Sequence, residues 1–273
     1  MGNSLLMTPM LSDAATLSTT APVAASMPLN YLQKTQPTDT CRWTDTTQVT
    51  FDVDLTAAYA SAGVSSWNFL ALLFTNFAAG DQVTIKTASS QANLTSSPAF
   101  TSTTDAWPDP GLTTWDRPPF VLWLGSSGRS ENWLRVSVTA SGGSSYREAG
   151  RLYIADAYQV SGLRYGTSTG FGEEEIIQEA EGGPEYAYER PRARSREFTL
   201  EAHGPSAQAE IHTHWLEIQR LRGVSKDVLF VLDPEDTTYL AQNTIYGRLR
   251  PASEQNNPAF RLYTLTLRIK EML

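Results

Sequence analysis

Between residues 47 and 160 apolar and polar side chains alternate with period two, again and again. Val49, Phe51, Val53 and Leu55 are interleaved with Thr50, Asp52 and Asp54, the pattern of a strand with one buried face. Gln82–Thr87 repeats it with Val83 and Ile85, and Phe120–Leu124, Trp133–Val138 and Arg151–Tyr158 follow. Phe69–Phe74 is continuously apolar, as expected of a central strand covered on both sides. Turn-forming clusters separate these runs: Ala79-Gly80-Asp81, Ser96-Ser97-Pro98, Pro108-Asp109-Pro110-Gly111, Gly125–Gly128 and Ser141–Ser144. The pattern predicts an antiparallel β-sandwich over residues 46–160.

The flanks read differently. Residues 1–45 are rich in Thr, Ser, Ala and Pro, and Pro9, Pro22, Pro28 and Pro37 break any long helix. With Leu5, Leu6, Met7, Met10, Leu11, Leu29, Tyr31 and Leu32 they are too apolar for a typical disordered tail. An extended arm with short strands is expected. Residues 161–196 open glycine-rich, pass Glu173-Glu174-Glu175 and end in four arginines at every second position, Arg190, Arg192, Arg194 and Arg196. Either Ile176–Glu179 and Tyr186–Arg190 form a hairpin across Gly182-Gly183-Pro184, or the stretch is a linker. Residues 197–273 predict a β-rich α+β module with one helix over about 205–222. Ala207, Ile211, Trp215, Ile218 and Leu221 mark its apolar face and Gly223 its end. Strands are expected at Glu197–Glu201, Val228–Leu232, Ile245–Leu249 and Phe260–Ile269. The fold class is thus mainly β.

Composition narrows the function. The 273 residues carry a formal charge of −8, with four lysines (Lys34, Lys86, Lys226, Lys270) against seventeen arginines. Protein interfaces favour arginine and deplete lysine, so the imbalance hints at a surface made for assembly. The acidic balance argues against specific nucleic-acid binding. No apolar run approaches membrane-spanning length, and no basic residue precedes the first apolar residues, as a secretory signal would require. A single cysteine, Cys41, excludes an internal disulfide and a cysteine-rich zinc site.

The search for chemistry is mostly negative. His212 and His214 lie two apart on the predicted helix and point in nearly opposite directions, and His203 falls in the loop before it. No metal site is expected. The chain has no Gly-x-Ser-x-Gly elbow. Cys41 has no histidine within the first 200 residues, so it reads as packing. Gly166, Gly170 and Gly172 fit neither phosphate-binding pattern, and no cofactor is expected. A glycoside-hydrolase pair could come only from Asp52 and Asp54, or from Asp105, Asp109 and Asp116. The first two alternate with a buried face and are expected to point at solvent, and Asp109 reads as a turn residue. No catalytic residue is assigned. Trp107, Trp115, Trp123 and Trp133 fall close together. The last two read as packing, whereas Trp107 and Trp115 lie in a loop and are candidates for glycan stacking, a subunit interface or simple loop packing. Arg190, Arg192, Arg194 and Arg196 are candidates for charge pairing, within or between subunits, with Glu173, Glu174 and Glu175.

Several runs carry a family resemblance. Gly150–Tyr158 leads into Arg164-Tyr165-Gly166. Further on come Lys226–Pro234, Ile245–Leu249 and Asn257-Pro258-Ala259-Phe260. This series resembles tail-tip structural proteins of long-tailed bacteriophages, the distal-tail and minor tail proteins. Asn3–Leu6 with Phe51–Leu55 is similar to the galactose-binding-like jelly rolls found in such proteins, and the C-terminal module to the tube-like domain of distal tail proteins. The resemblance implies a jelly-roll-like sandwich followed by a tube-like module. It also implies a non-enzymatic, ring-forming homo-oligomer at the virion tail tip or baseplate, made in the host cytoplasm. Tail-tube, tape-measure and baseplate or fibre proteins would be its partners. The alternative is a carbohydrate-binding module for a host surface glycan, and a less favoured one a glycan hydrolase.

Overall fold

In the computed structural model of the chain, residues 5–106, 117–125, 127–142, 146–159, 168–171, 176–179, 185–188, 196–204, 211–236, 238–250, 255–259 and 262–272 are described. They are mainly β, in antiparallel sheets. The chain divides into two compact units, residues 1–160 with 230–244 and residues 161–229 with 245–273.

The first unit is a β-sandwich. One sheet runs in the order β2 (Thr16–Thr19), β4 (Gln48–Asp54), β9 (Trp133–Thr139), β6 (Gln82–Ala88) and β7 (Phe100–Asp105). Its register aligns the alternating apolar positions into rows: Val49, Val138 and Val83; Phe51, Val136 and Ile85. A one-residue slip would turn every row outward. The second sheet orders β1 (Leu5–Met10), β11 (Arg151–Gln159), β5 (Phe69–Leu73) and β8 (Phe120–Trp123), and residues 230–231 pair on the far side of β1. All five residues of β5 are buried, as its unbroken apolar sequence requires. Asn68 extends the ladder with its side chain. Its Oδ1 accepts the Ala157 N–H at 2.6 Å, and its Nδ2 donates to the Ala157 carbonyl at 3.1 Å. A short ribbon joins β3 (Cys41–Trp43) to β10 (Arg147–Ala149).

The stretch read as an extended arm supplies part of this sandwich. β1 and β2 are sheet strands, and Leu11, Leu32 and Cys41 are fully buried in the same core as Phe51, Leu72 and Ile154. Trp43 stacks on Phe51, ring centroids 5.6 Å apart. Short turns filled with Thr, Ser and Pro mask the period of these brief strands, so composition looked like an arm where packing builds core. Two helices also escaped the sequence pattern. α1 (Thr56–Ala62) buries only Ala58 fully, and α2 (Asn93–Ser96) only Leu94. Asp54 caps α1 by accepting the Thr56 N–H at 2.9 Å, and Gly63 ends it with φ 69.

In the second unit β15 (Arg196–Gly204) pairs along its length with β19 (Leu262–Glu271), and β12 (Ser168–Phe171) pairs with β15. The other edge of β19 receives β17 (Thr244–Leu249) and β18 (Gln255–Ala259) in turn. β13 (Ile176–Glu179) and β14 (Glu185–Tyr188) pair as a hairpin, Ile176 opposite Tyr188. The expected helix is described from residue 211 onward. A π-helical turn, Ile211–Trp215, runs into α3 (Leu216–Arg222). Trp215 and Ile218 are buried, but Leu221, assigned to the same face, is 39% exposed. The π-turn shifts the phase that an ideal 3.6-residue period would have kept. Gly223 closes the helix at φ 53, its N–H reaching the Gln219 carbonyl.

Because Leu11 and Leu32 have no exposed surface, replacing either with alanine is expected to cost about 2–5 kcal/mol. Urea unfolding of the full chain measures it. A loss close to zero would mean that these residues lie on the sandwich without belonging to it.

Candidate functional site

One end of the sandwich is held by a single carboxylate. Asp81, fully buried, opens β6. It accepts the Ala78 N–H at 2.9 Å, the Ser141 N–H at 2.7 Å and the Ser141 hydroxyl at 3.0 Å. Its carbonyl receives the Ala106 N–H at 2.8 Å. Arg147, 1% exposed, lies 3.3 Å from its other oxygen. Three loops, those that follow β5, β7 and β9, are thereby tied at one point.

Beside it stands a second charged cluster, which is open to solvent. Glu148 is buried, with side-chain exposure of 4%, and both its oxygens are engaged. Arg42 donates from Nε to Oε1 at 2.6 Å, and Arg117 donates from a terminal nitrogen to Oε2 at 3.3 Å. The two arginine side chains are 36% and 42% exposed. Arg42 lies over the Tyr146 ring, 4.2 Å from its centroid. Asn76 fixes the backbone between them: its Nδ2 donates to the Tyr146 carbonyl at 3.1 Å and its Oδ1 accepts the Glu148 N–H at 2.6 Å. Arg117 and Phe74 are the two non-glycine residues with positive φ among the described residues, at 62° and 56°. Both lie at this end, and the Thr75 hydroxyl donates to the Pro118 carbonyl at 2.7 Å to join their loops. Strained backbone of this kind persists where surrounding contacts over-determine it, and it clusters at ligand sites.

The cluster leaves no unpaired carboxylate among its described residues. Its carboxylates are buried and committed to arginines, and its outward groups are two guanidiniums and a half-buried tyrosine. Sequence reading missed Arg42, Arg117, Tyr146 and Glu148. They are scattered over a hundred residues, and no local spacing marks them.

The residues that the sequence singled out fall elsewhere. Trp107, Trp115, Asp109 and Asp116 lie outside the described residues, although both flanks of their loop are fixed at this end, through Ala106 and Arg117. Trp123 and Trp133 are half-buried. Asp52 does not point at solvent as the alternation implied. It is 6% exposed, because Arg135, directly opposite on β9, donates to it at 2.6 and 2.9 Å, and Gln91 covers it at 3.0 Å. The hydrogen bonds to Asp52 raise the Arg135 pKa further. Asp54 caps α1, and Asp105 is exposed beside Gln82. Cys41 is buried, and desolvation, assisted by the nearby Glu148 charge, pushes its thiol up to about 12; it is inert packing. His203 lies in β15 opposite Thr264 instead of in a loop. His212 and His214 fall in the π-turn. Among the described residues no group of histidine, cysteine and carboxylate side chains is arranged to hold a metal ion, and no helix is long and apolar enough to cross a membrane.

Of the charged run, Arg190, Arg192 and Arg194 and the glutamates Glu173, Glu174 and Glu175 lie outside the described residues. Arg196 is 8% exposed, and its guanidinium grips Glu271 of the same chain at 2.6 and 2.9 Å. That pair lies within the second unit.

No protein-family model matches the chain, and no curated protein matches it. Solved structures do. The chitosan-binding module 1 of a chitosanase/glucanase from Paenibacillus sp. IK-5 is 16% identical with a TM-score of 0.38, and the match covers 54% of this chain and 98% of that one. The family 32 carbohydrate-binding module of C. perfringens NanJ, solved with galactose, is 9% identical with a TM-score of 0.38, covering 55% and 98%. A fucolectin from striped bass (Morone saxatilis) serum is 8% identical with a TM-score of 0.39, covering 57% and 50%. These neighbours are carbohydrate-binding proteins by name, but at such scores the likeness carries no argument about this chain's ligand.

The two charge clusters differ in what removal of a carboxylate should do. Asp81→Asn strands Arg147 without access to water and is expected to cost about 3–5 kcal/mol. Glu148→Gln leaves two guanidiniums that water can reach and should cost about 1–3 kcal/mol. Thermal unfolding of both variants tests the order. Equal losses would contradict the division into a buried clasp and an open cluster.

Proposed function

We propose that the first unit is a non-catalytic glycan-binding module, with its ligand at the loop end that carries Arg42, Tyr146 and Arg117. The observation behind this reading is the pair of outward guanidiniums, one stacked on an aromatic ring, on a backbone fixed by buried carboxylates and Asn76. Such an arrangement presents preorganised donors and a ring, the groups that bind sugars. Hydrolysis is disfavoured by the same geometry, since Asp81 and Glu148 are buried and neutralised and neither can serve as an acid or nucleophile toward a sugar. Trp107 and Trp115 are proposed as added stacking contacts. Affinity electrophoresis of the full chain against a panel of bacterial, plant and animal polysaccharides tests the reading. Retardation by at least one of them, weakened about tenfold or more in Arg42→Ala, is expected. A folded chain that no glycan retards would end this reading.

A second reading has an observation of its own. In the second unit Leu221 and Val224 are 39% and 55% exposed, apolar side chains at the end of α3 and just beyond it. They suit a ring-forming component of a phage tail tip, packed against copies of itself and against tail-tube, tape-measure and baseplate or fibre proteins. A chain of two units can serve both purposes. Here the solution mass should be a multiple of 30.0 kDa, and Leu221→Ser with Val224→Ser should reduce it. A concentration-independent monomer would dismiss self-assembly.

A further inference from the structure

We infer that the ligand of the loop end is an anionic glycan, one that bears carboxylate or sulfate groups, held chiefly by Arg117. The inference rests on the glycan-binding reading above and adds the ligand's chemical class.

It follows from the sense of the hydrogen bonds that the cluster has left to offer. A neutral sugar hydroxyl both donates and accepts, so a site for neutral sugars needs exposed acceptors beside its donors. The carboxylates and amide of this cluster are spent on the protein. Glu148 is 4% exposed, with its two oxygens on Arg42 and Arg117. Asp81 is fully buried on Arg147 and Ser141. Asn76 Oδ1 is on the Glu148 N–H. Apart from the Tyr146 hydroxyl, which has either sense, the outward side chains of the cluster only donate.

Charge points the same way. Asp81 and Arg147 cancel, and Glu148 neutralises one of its two arginines, so the cluster carries a surplus of one positive charge in a chain whose formal charge is −8. Arg117 is the less committed partner. Among the described residues it makes one hydrogen bond, at 3.3 Å, and 42% of its side chain is exposed. Its remaining N–H donors have no partner among the described residues, and a guanidinium fork matches the two oxygens of a carboxylate or sulfate. Its left-handed backbone, φ 62, is held in place by the adjoining Pro118 carbonyl, which accepts from Thr75.

The test uses the full chain and four probes: alginate, its propylene-glycol ester, dextran sulfate and dextran. Alginate or dextran sulfate should bind at least tenfold more tightly than its uncharged counterpart, and whichever binds identifies carboxylate or sulfate as the group read. Arg117→Gln should weaken that binding about tenfold or more, Arg117→Lys should weaken it less, and added salt should weaken it in the unmodified chain. Circular dichroism checks that the variants fold, and if Arg117→Gln does not, Arg117→Lys and the ester comparison decide. Three results would overturn the inference. Charged and uncharged probes could bind alike. Anionic binding could survive Arg117→Gln, as it would if the arginine run 190–196 captured the polymer. Dextran alone could bind, which leaves the glycan reading intact, whereas a folded chain that binds no polysaccharide here or in the wider panel loses both.

Discussion

The carboxylate of Asp81 has no contact with water, and the loop end of the sandwich is organised around it. It anchors a backbone N–H in its own loop and another across the sandwich, a hydroxyl and a guanidinium. A buried carboxylate is tolerated only when it is paired and hydrogen-bonded, so the fold depends on these partners staying in place. The rigidity passes outward. Arg147 belongs to the same short strand as Glu148, and Glu148 in turn sets the two exposed arginines. The end that meets solvent is therefore placed by a group that never does.

Arginine's role in this chain changes the meaning of its composition. The excess of arginine over lysine suggested a surface made for assembly. Much of it is internal. Arg147 and Arg151 are 1% exposed and Arg196 8%, each facing a carboxylate, and Arg222 stands near the buried Asp227. A planar guanidinium with five donors can satisfy a buried carboxylate at two points and still bond a carbonyl or lie on a ring. A lysine ammonium is more strongly hydrated and costs more to bury. Part of the imbalance thus serves the interior, and the argument for assembly rests more on the exposed apolar residues near α3.

The limits of the alternating pattern show in Asp52. Its strand alternates as expected, and Val49, Phe51 and Val53 point into the core. The polar face was expected to be wet. Arg135 stands opposite on the neighbouring strand, and the segment before α2 folds over both, so the acid is buried on the supposedly open side. Periodicity reports which positions share a face. It does not report what later segments of chain lay across that face.

The sequence by itself determined the sandwich, four of the strands that follow it (β15, β17, β19 and the strand at 227–231), the turn chemistry between them and the C-terminal helix with its glycine end. These follow from side-chain period and local backbone preference, which act within a few residues. Only the tertiary structure decided that Leu11, Leu32, Cys41 and Trp43 are core, that Arg196 is committed to Glu271, and that Arg42, Arg117, Tyr146 and Glu148 form one cluster. Those outcomes depend on strand order and register, which bring residues 31 to 106 positions apart into hydrogen-bonding distance. Contacts of that range leave no period in the sequence. They are fixed only when the sheets close and each buried charge must find its partner.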